Sequence, residues 1–230
     1  MKTLFITTFV LVFITSCTCV HFSEPQPKGS PVLNAFPKDY IGVYVSSSEK
    51  EKDTVYIHER FYEIPETYSE KIHIEKLNKH KNIKLKNNLL YNTSIPVDIG
   101  IPYSIKNDTL SYKINLLIPY YLSDSLQLKK LGKYFVLNQK DLYKEYWSVY
   151  LLSKQKDESI KLEMVGNFDT NTDDKNKTRY DGNINDFFHI TDFKEIENEN
   201  YLINPSKREL KKLIRKDFFK ELDVLLKVKP

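Results

Sequence analysis

The chain has 230 residues and a formal charge of +4, and 40% of it is hydrophobic. That length allows a sizeable core, while the near-balance of charge, with no run of like charge reaching five residues, excludes the basic footprint of a nucleic-acid binder. Six glycines, with no G-x-S-x-G and no P-loop among them, also exclude the common nucleophile elbow and phosphate loop.

Lys2 precedes LFITTFVLVFI, an apolar run from Leu4 to Ile14. A spanning helix needs roughly 20 apolar residues, so residues 1–16 read as an export leader with a short h-region. Ile14, Thr15, Ser16 and Cys17 follow it. An aliphatic residue and two small residues before a cysteine resemble the lipobox of bacterial lipoproteins. The resemblance implies cleavage before Cys17, a thioether from its thiol to diacylglycerol, and acylation of the new amine by a palmitate-type chain. Cys19 fits less well, because Ser16 would then stand in the aliphatic place. One acyl chain anchors only marginally, at about 0.8 kcal/mol per buried methylene, but two or three hold a protein at a membrane. The C-x-C spacing is not the C-x-x-C of a redox pair. No cysteine follows residue 19, so the body is expected to have no disulfide.

Residues 17–39 read as the lipidated cysteine and a proline-rich tether. Pro25, Pro27, Pro31 and Pro37 disfavour both helix and ladder pairing, and Leu33 and Phe36 are placed to pack back on the body. Residues 40–230 read as one β-rich globular domain. Segments 41–47 and 53–59 alternate through Val43, Val45, Val55 and Ile57, as half-buried strands do. Segment 71–77 alternates through Ile72 and Ile74, and 82–88 through Ile83 and Leu85. Asn107-Asp108 marks a hairpin between two apolar-patterned runs. Gly132 marks a second, and QKDE at 155–158 a third. About nine or ten short strands with regular turn signals predict a mainly β, antiparallel sandwich or barrel-like domain. Segment 167–186 is almost wholly polar and reads as a long exposed loop. Near the C-terminus Ser206 and Glu209 form a capping box, with Leu210, Leu213 and Ile214 on one helical face. Beyond Asp217 the period changes to two through Leu222, Val224, Leu226 and Val228, broken by Leu225, and predicts a closing strand.

Two stretches carry a wider resemblance. EPQPKGSPVLNAFPKDYIGVY (24–44) after the lipobox, and YLINPSKRELKKLIRKDFFKELDVLLKV (201–228), are similar to the ends of uncharacterised lipoproteins of Bacteroidota. The likeness implies an envelope location and no particular activity.

Candidate sites are few. His58-Glu59 begins the H-E-x-x-H pattern, but Tyr62 stands where the second histidine belongs. Asp169, Asn171 and Asp173 match the first three ligand positions of an EF-hand-type calcium loop. Asp174 replaces the glycine of that loop and Tyr180 its bidentate glutamate, so no metal site is assigned. Asp53-Thr54-Val55, Asp108-Thr109-Leu110 and Asp124-Ser125-Leu126 resemble the O-glycosylation sequon of exported Bacteroidota proteins, which would make Thr54, Thr109 and Ser125 acceptors. The aromatic stretches IPYYL (118–122) and EYWSVYLL (145–152) read as core, with a ligand cavity as the alternative.

The resulting expectation is a non-enzymatic, lipid-anchored envelope protein. It uses no cofactor and no nucleic acid, and it binds another envelope component. A lipocalin-like carrier of a small apolar ligand is the alternative. The segment after Cys17 lacks an acidic cluster resembling a surface-export signal, which favours the outer membrane facing the periplasm.

Overall fold

The computed structural model describes residues 20–47, 54–95, 98–141, 144–165, 193–196 and 200–228, apart from the side chains of 193, 195 and 200. The expected leader, Cys17 and the Asp169–Asp173 segment lie outside the described residues.

Strands dominate the chain. In order they are β1 (Val20–Phe22), β2 (Gly42–Ser46), β3 (Thr54–Ile57), β4 (Phe61–His73), β5 (Ile83–Lys86), β6 (Leu89–Asn92), β7 (Tyr103–Lys106), β8 (Thr109–Tyr121), β9 (Leu126–Leu131), β10 (Tyr134–Lys140), β11 (Trp147–Lys154), β12 (Ile160–Val165), β13 (Phe193–Ile196) and β14 (Asn200–Ile203). Helix α1 (Lys207–Arg215) and β15 (Phe219–Lys227) complete the series. The turns follow their chemistry. Asn87-Asn88 and Asn107-Asp108 have positive φ at both central positions, the arrangement of type I′ hairpins that asparagine tolerates. Gly132 (φ +61) opens the β9–β10 turn, where a left-handed residue is required.

The described residues fall into two compact units. The first takes its described residues from within Met1–Leu33, Ser123–Ser153 and Lys161–Leu222. Its strand order is β13-β14-β1-β11-β12-β15, with β10 on β11 and β9 on β10. β9–β10, β10–β11, β1–β11 and β13–β14 pair antiparallel, whereas β1 and β14 run parallel with Val20 beside Tyr201 and Phe22 beside Ile203. Phe22, Trp147, Val149, Leu151 and Ile203 from the strands meet Leu210, Leu213, Phe218 and Phe219 in one core. The expected tether therefore ends early. From Val20 onward the chain is part of the fold, because Phe22 is an anchor of this core and is 1% exposed.

The helix is as its sequence signals it. Ser206 accepts from the Glu209 N–H, and the Glu209 carboxylate accepts from the Ser206 N–H. Leu210 and Leu213 are buried and Ile214 packs beside them. At the other end the Phe218 N–H reaches the Leu213 carbonyl (3.1 Å) and the Asp217 N–H the Ile214 carbonyl (3.2 Å). This is a Schellman closure, with Asp217 (φ +61) in the place usually held by glycine.

The second unit takes its described residues from within Asn34–Leu122, Lys154–Ile160 and Asp223–Pro230. Its order is β15-β2-β3-β4-β8-β7, and β5-β6 form a separate two-stranded sheet. β4 and β8 pair over their full lengths, from Phe61 beside Tyr121 to His73 beside Thr109. Their even-numbered residues face inward. Leu110 and Tyr112 join Leu90, Ile95 and Ile101 in the core. Sequence reading misses the first part of β4 because Pro65 cannot donate to a ladder. Pro65 stands just past the last β3 partner, Glu63, where no donor is needed. The strand expected to run on through Ile74 stops at His73, and a 3-10 turn (Ile74–Lys79) leaves Ile74 exposed.

β15 forms where expected but shows the other face. Leu222, Leu226 and Val228 are exposed, and Leu225, the residue that broke the alternation, is 7% exposed. Phe219 and Leu225 share parity, and Leu225 pairs with buried Ser46. The pairing of β15 with β2, not the hydrophobic count, sets the register. Among the described residues the strand order does not close on itself in either unit.

Candidate functional site

Thr54 and Thr109 open β3 and β8 and are half-buried, whereas Ser125 is exposed just before β9. Each heads a different strand. Thr109 Oγ1 donates to the Asn107 carbonyl (3.3 Å), and Ser125 Oγ lies 3.1 Å from Ser123 Oγ. His58 does not face a second histidine. Its Nε2 is 3.1 Å from Glu63 Oε2, and its ring stacks on Phe61 at 4.3 Å. His80 Nδ1 lies 3.3 Å from Glu70 Oε1. Both aromatic stretches are packing elements. Tyr120 stacks on Tyr62 at 5.0 Å, and Trp147, Val149 and Leu151 are core.

Polar clusters of the second unit include one around Glu66 and one around Lys154. Glu66 accepts hydrogen bonds from the Tyr68 and Tyr120 hydroxyls. Burial, and then the Glu66 carboxylate, push the Tyr68 phenol up to about 12 and raise that of Tyr120 as well. Two phenol donors occupy the carboxylate, and the Tyr120 bond ties β8 to β4. The second cluster gathers around Lys154, whose Nζ donates to the Asp39 carbonyl (2.7 Å) and the Tyr44 hydroxyl (3.2 Å). Burial, and then the charge of Lys227, lower the Lys154 pKa. Burial pushes Tyr44 up to about 12. Both clusters hold strands together.

Among the described residues, the surface best suited to a charged ligand is a groove of about 550 Å³ in the first unit. One wall is the β9–β10 turn, with Leu131, Gly132, Lys133 and Tyr134. The other is α1, with Arg208, Lys211, Ile214 and Arg215. Two local signals build it. Gly132 turns the hairpin tightly enough to present Lys133, whose Nζ lies 5.1 Å from the centre of the Tyr134 ring. Helical spacing puts residues 208, 211 and 215 in one row, while Leu210 and Leu213 hold the opposite face in the core. Leu131, Tyr134 and Ile214 give an apolar floor. The lining contains four cations and no carboxylate, and no ion pair joins those cations to any acid among the described residues. A wider groove of about 970 Å³ runs along β5–β6, but it mixes Lys84 and Lys86 with Asp98 and has no single charge character.

Sequence reading misses the first groove because it seeks contiguous blocks of charge. The signal is present instead as a three-then-four spacing of Arg208, Lys211 and Arg215, the same helical period that identifies Leu210, Leu213 and Ile214. Lys133 joins them only through tertiary packing. Among the described residues, no helix is long and apolar enough to cross a membrane. No family model matches the chain, and no curated protein or solved structure matches it significantly.

Proposed function

We propose that this protein is a lipid-anchored, non-enzymatic binding module of a bacterial cell envelope. It is held through Cys17 at the outer membrane on the periplasmic side, and its ligand surface is the cationic groove between α1 and the β9–β10 turn. The observation that supports this reading is the groove's lining. Arg208, Lys211, Arg215 and Lys133 offer charge, and Leu131, Tyr134 and Ile214 offer apolar contact. No carboxylate or imidazole stands among them to act as a general base. Such a lining suits the binding of an anionic, partly apolar partner.

Two measurements test the proposal. Metabolic labelling with an alkyne fatty acid should mark the wild type and not Cys17→Ser, and an unlabelled wild type would remove the anchor from the reading. Cross-linked envelopes should yield a component captured by the wild type and lost from Lys133→Glu/Arg208→Glu/Lys211→Glu/Arg215→Glu. Equal capture by both would refute the groove as the binding surface. Digestion of the body by protease on intact cells would move the protein to the outer face.

A further inference from the structure

The fold sets how far the groove can stand from the anchor. Val20 is already in the sheet, beside Tyr201 of β14. Three peptide steps separate it from Cys17, a reach of at most roughly 11 Å at 3.3–3.6 Å per residue. β14 leads through Asn204, Pro205 and Ser206 into α1. If Cys17 carries the lipid, as the reading above has it, the unit that bears the groove is leashed to the bilayer surface.

The charges on α1 are not explained by helix stability. Lys207 and Arg208 sit in the first turn, where the helix dipole disfavours cations. The one acid of the helix, Glu209, is engaged in the capping box. Arg208, Lys211 and Arg215 repel one another along a row, and like charges at these spacings destabilise an isolated helix. The dipole favours Lys212 and Arg215 in the last turn and Lys216 at the C-cap. A helix of nine residues spans about 13 Å at 1.5 Å per residue. That covers a few headgroups, and it is short for a polymer track.

We propose that the Arg208–Lys211–Arg215 face of α1, with Lys133, docks on the phosphate-bearing headgroups of the leaflet that holds the lipid anchor. Tyr134 and Ile214 sit at the headgroup boundary. The protein is then held by its lipid and by this face together, and the first unit has a fixed seat on the membrane.

The test uses the full chain carrying Cys17→Ser, so that the lipid does not dominate. It should cosediment with vesicles of phosphatidylcholine and phosphatidylglycerol, and not with phosphatidylcholine alone. Each cation near an anionic surface contributes roughly fivefold to partitioning. Arg208→Gln/Lys211→Gln/Arg215→Gln should therefore weaken binding about 100-fold at low salt, with the wild-type advantage shrinking as salt rises. Lys76→Gln/Lys79→Gln/Lys106→Gln removes three exposed cations of the second unit and should change binding less than about threefold if the site is local. Inorganic phosphate at millimolar concentration should not compete, whereas competition would assign the site to free phosphate. Equal loss in the two triple variants, or no binding to anionic vesicles, would overturn the proposal. So would binding to a soluble polyanion such as duplex DNA with the vesicles ignored. Because these assays lack the lipid, their failure is separate from failure of fatty-acid labelling at Cys17.

Discussion

Replacing Asn138 with alanine should free the segment around Gln26 from the first unit. Asn138 and Gln26 are both fully buried. The Gln26 N–H donates to Asn138 Oδ1 at 2.6 Å, and Asn138 Nδ2 donates to the Gln26 carbonyl at 2.8 Å. The amide thus does for Gln26 what a neighbouring strand would do. Its removal orphans one buried N–H and one buried C=O, each costing about 1–3 kcal/mol. Lys129 Nζ still donates to the Pro25 carbonyl at 2.8 Å, which retains part of the segment. We therefore expect a loss of about 2–4 kcal/mol, a shift of about 1 M in urea midpoint for a slope near 3 kcal/mol/M. Hydrogen exchange should show faster exchange at residues 22–29 before the rest of the unit. A loss below about 0.5 kcal/mol, with unchanged exchange at Gln26, would refute the clamp.

Leu213→Ala should cost about 3 kcal/mol, because Leu213 is wholly buried beneath the helix, whereas Leu222→Ala should cost under about 0.5 kcal/mol. Urea denaturation that reversed this order would refute the assignment of faces. Asp217→Gly should gain about 0.5 kcal/mol by relieving a left-handed aspartate; the exposed ion pair it gives up with Lys220 contributes little. A loss on this substitution would show that the carboxylate, not the turn, matters there. Ultraviolet titration should find Tyr44 and Tyr68 ionising near 12, above the ordinary 10. A phenol whose pKa the fold raises binds its proton more tightly when folded. Its contribution is therefore complete below pH 10 and declines as pH rises through about 12. Glu66→Gln should bring Tyr68 part of the way down and leave Tyr44 unmoved, and a shift in both would contradict the separation of the two clusters.

Much of this architecture was written locally in the chain. Period-two alternation gave the strands around Val43, Val55 and Ile83. Asn107-Asp108 and Gly132 gave their hairpins, because left-handed turns need those residues. Ser206 and Glu209 gave the start of α1, since a capping box is made by side chains three apart. Other features depended on partners distant in sequence. Pro65 hides half of β4 until the end of the β3 ladder is known. The inward face of β15 follows from pairing with β2, which put Leu225 in the core against the alternation. The proline-rich segment became part of the first unit because Trp147, Ile203 and Asn138 supply the packing and hydrogen bonds that prolines cannot supply to themselves. The groove divides in the same way. The row of Arg208, Lys211 and Arg215 is helical spacing and is present in the sequence by itself. Lys133 and Tyr134 stand opposite only because Leu210 and Leu213 pack α1 against the core beneath the β9–β10 hairpin, a long-range contact that no local period encodes.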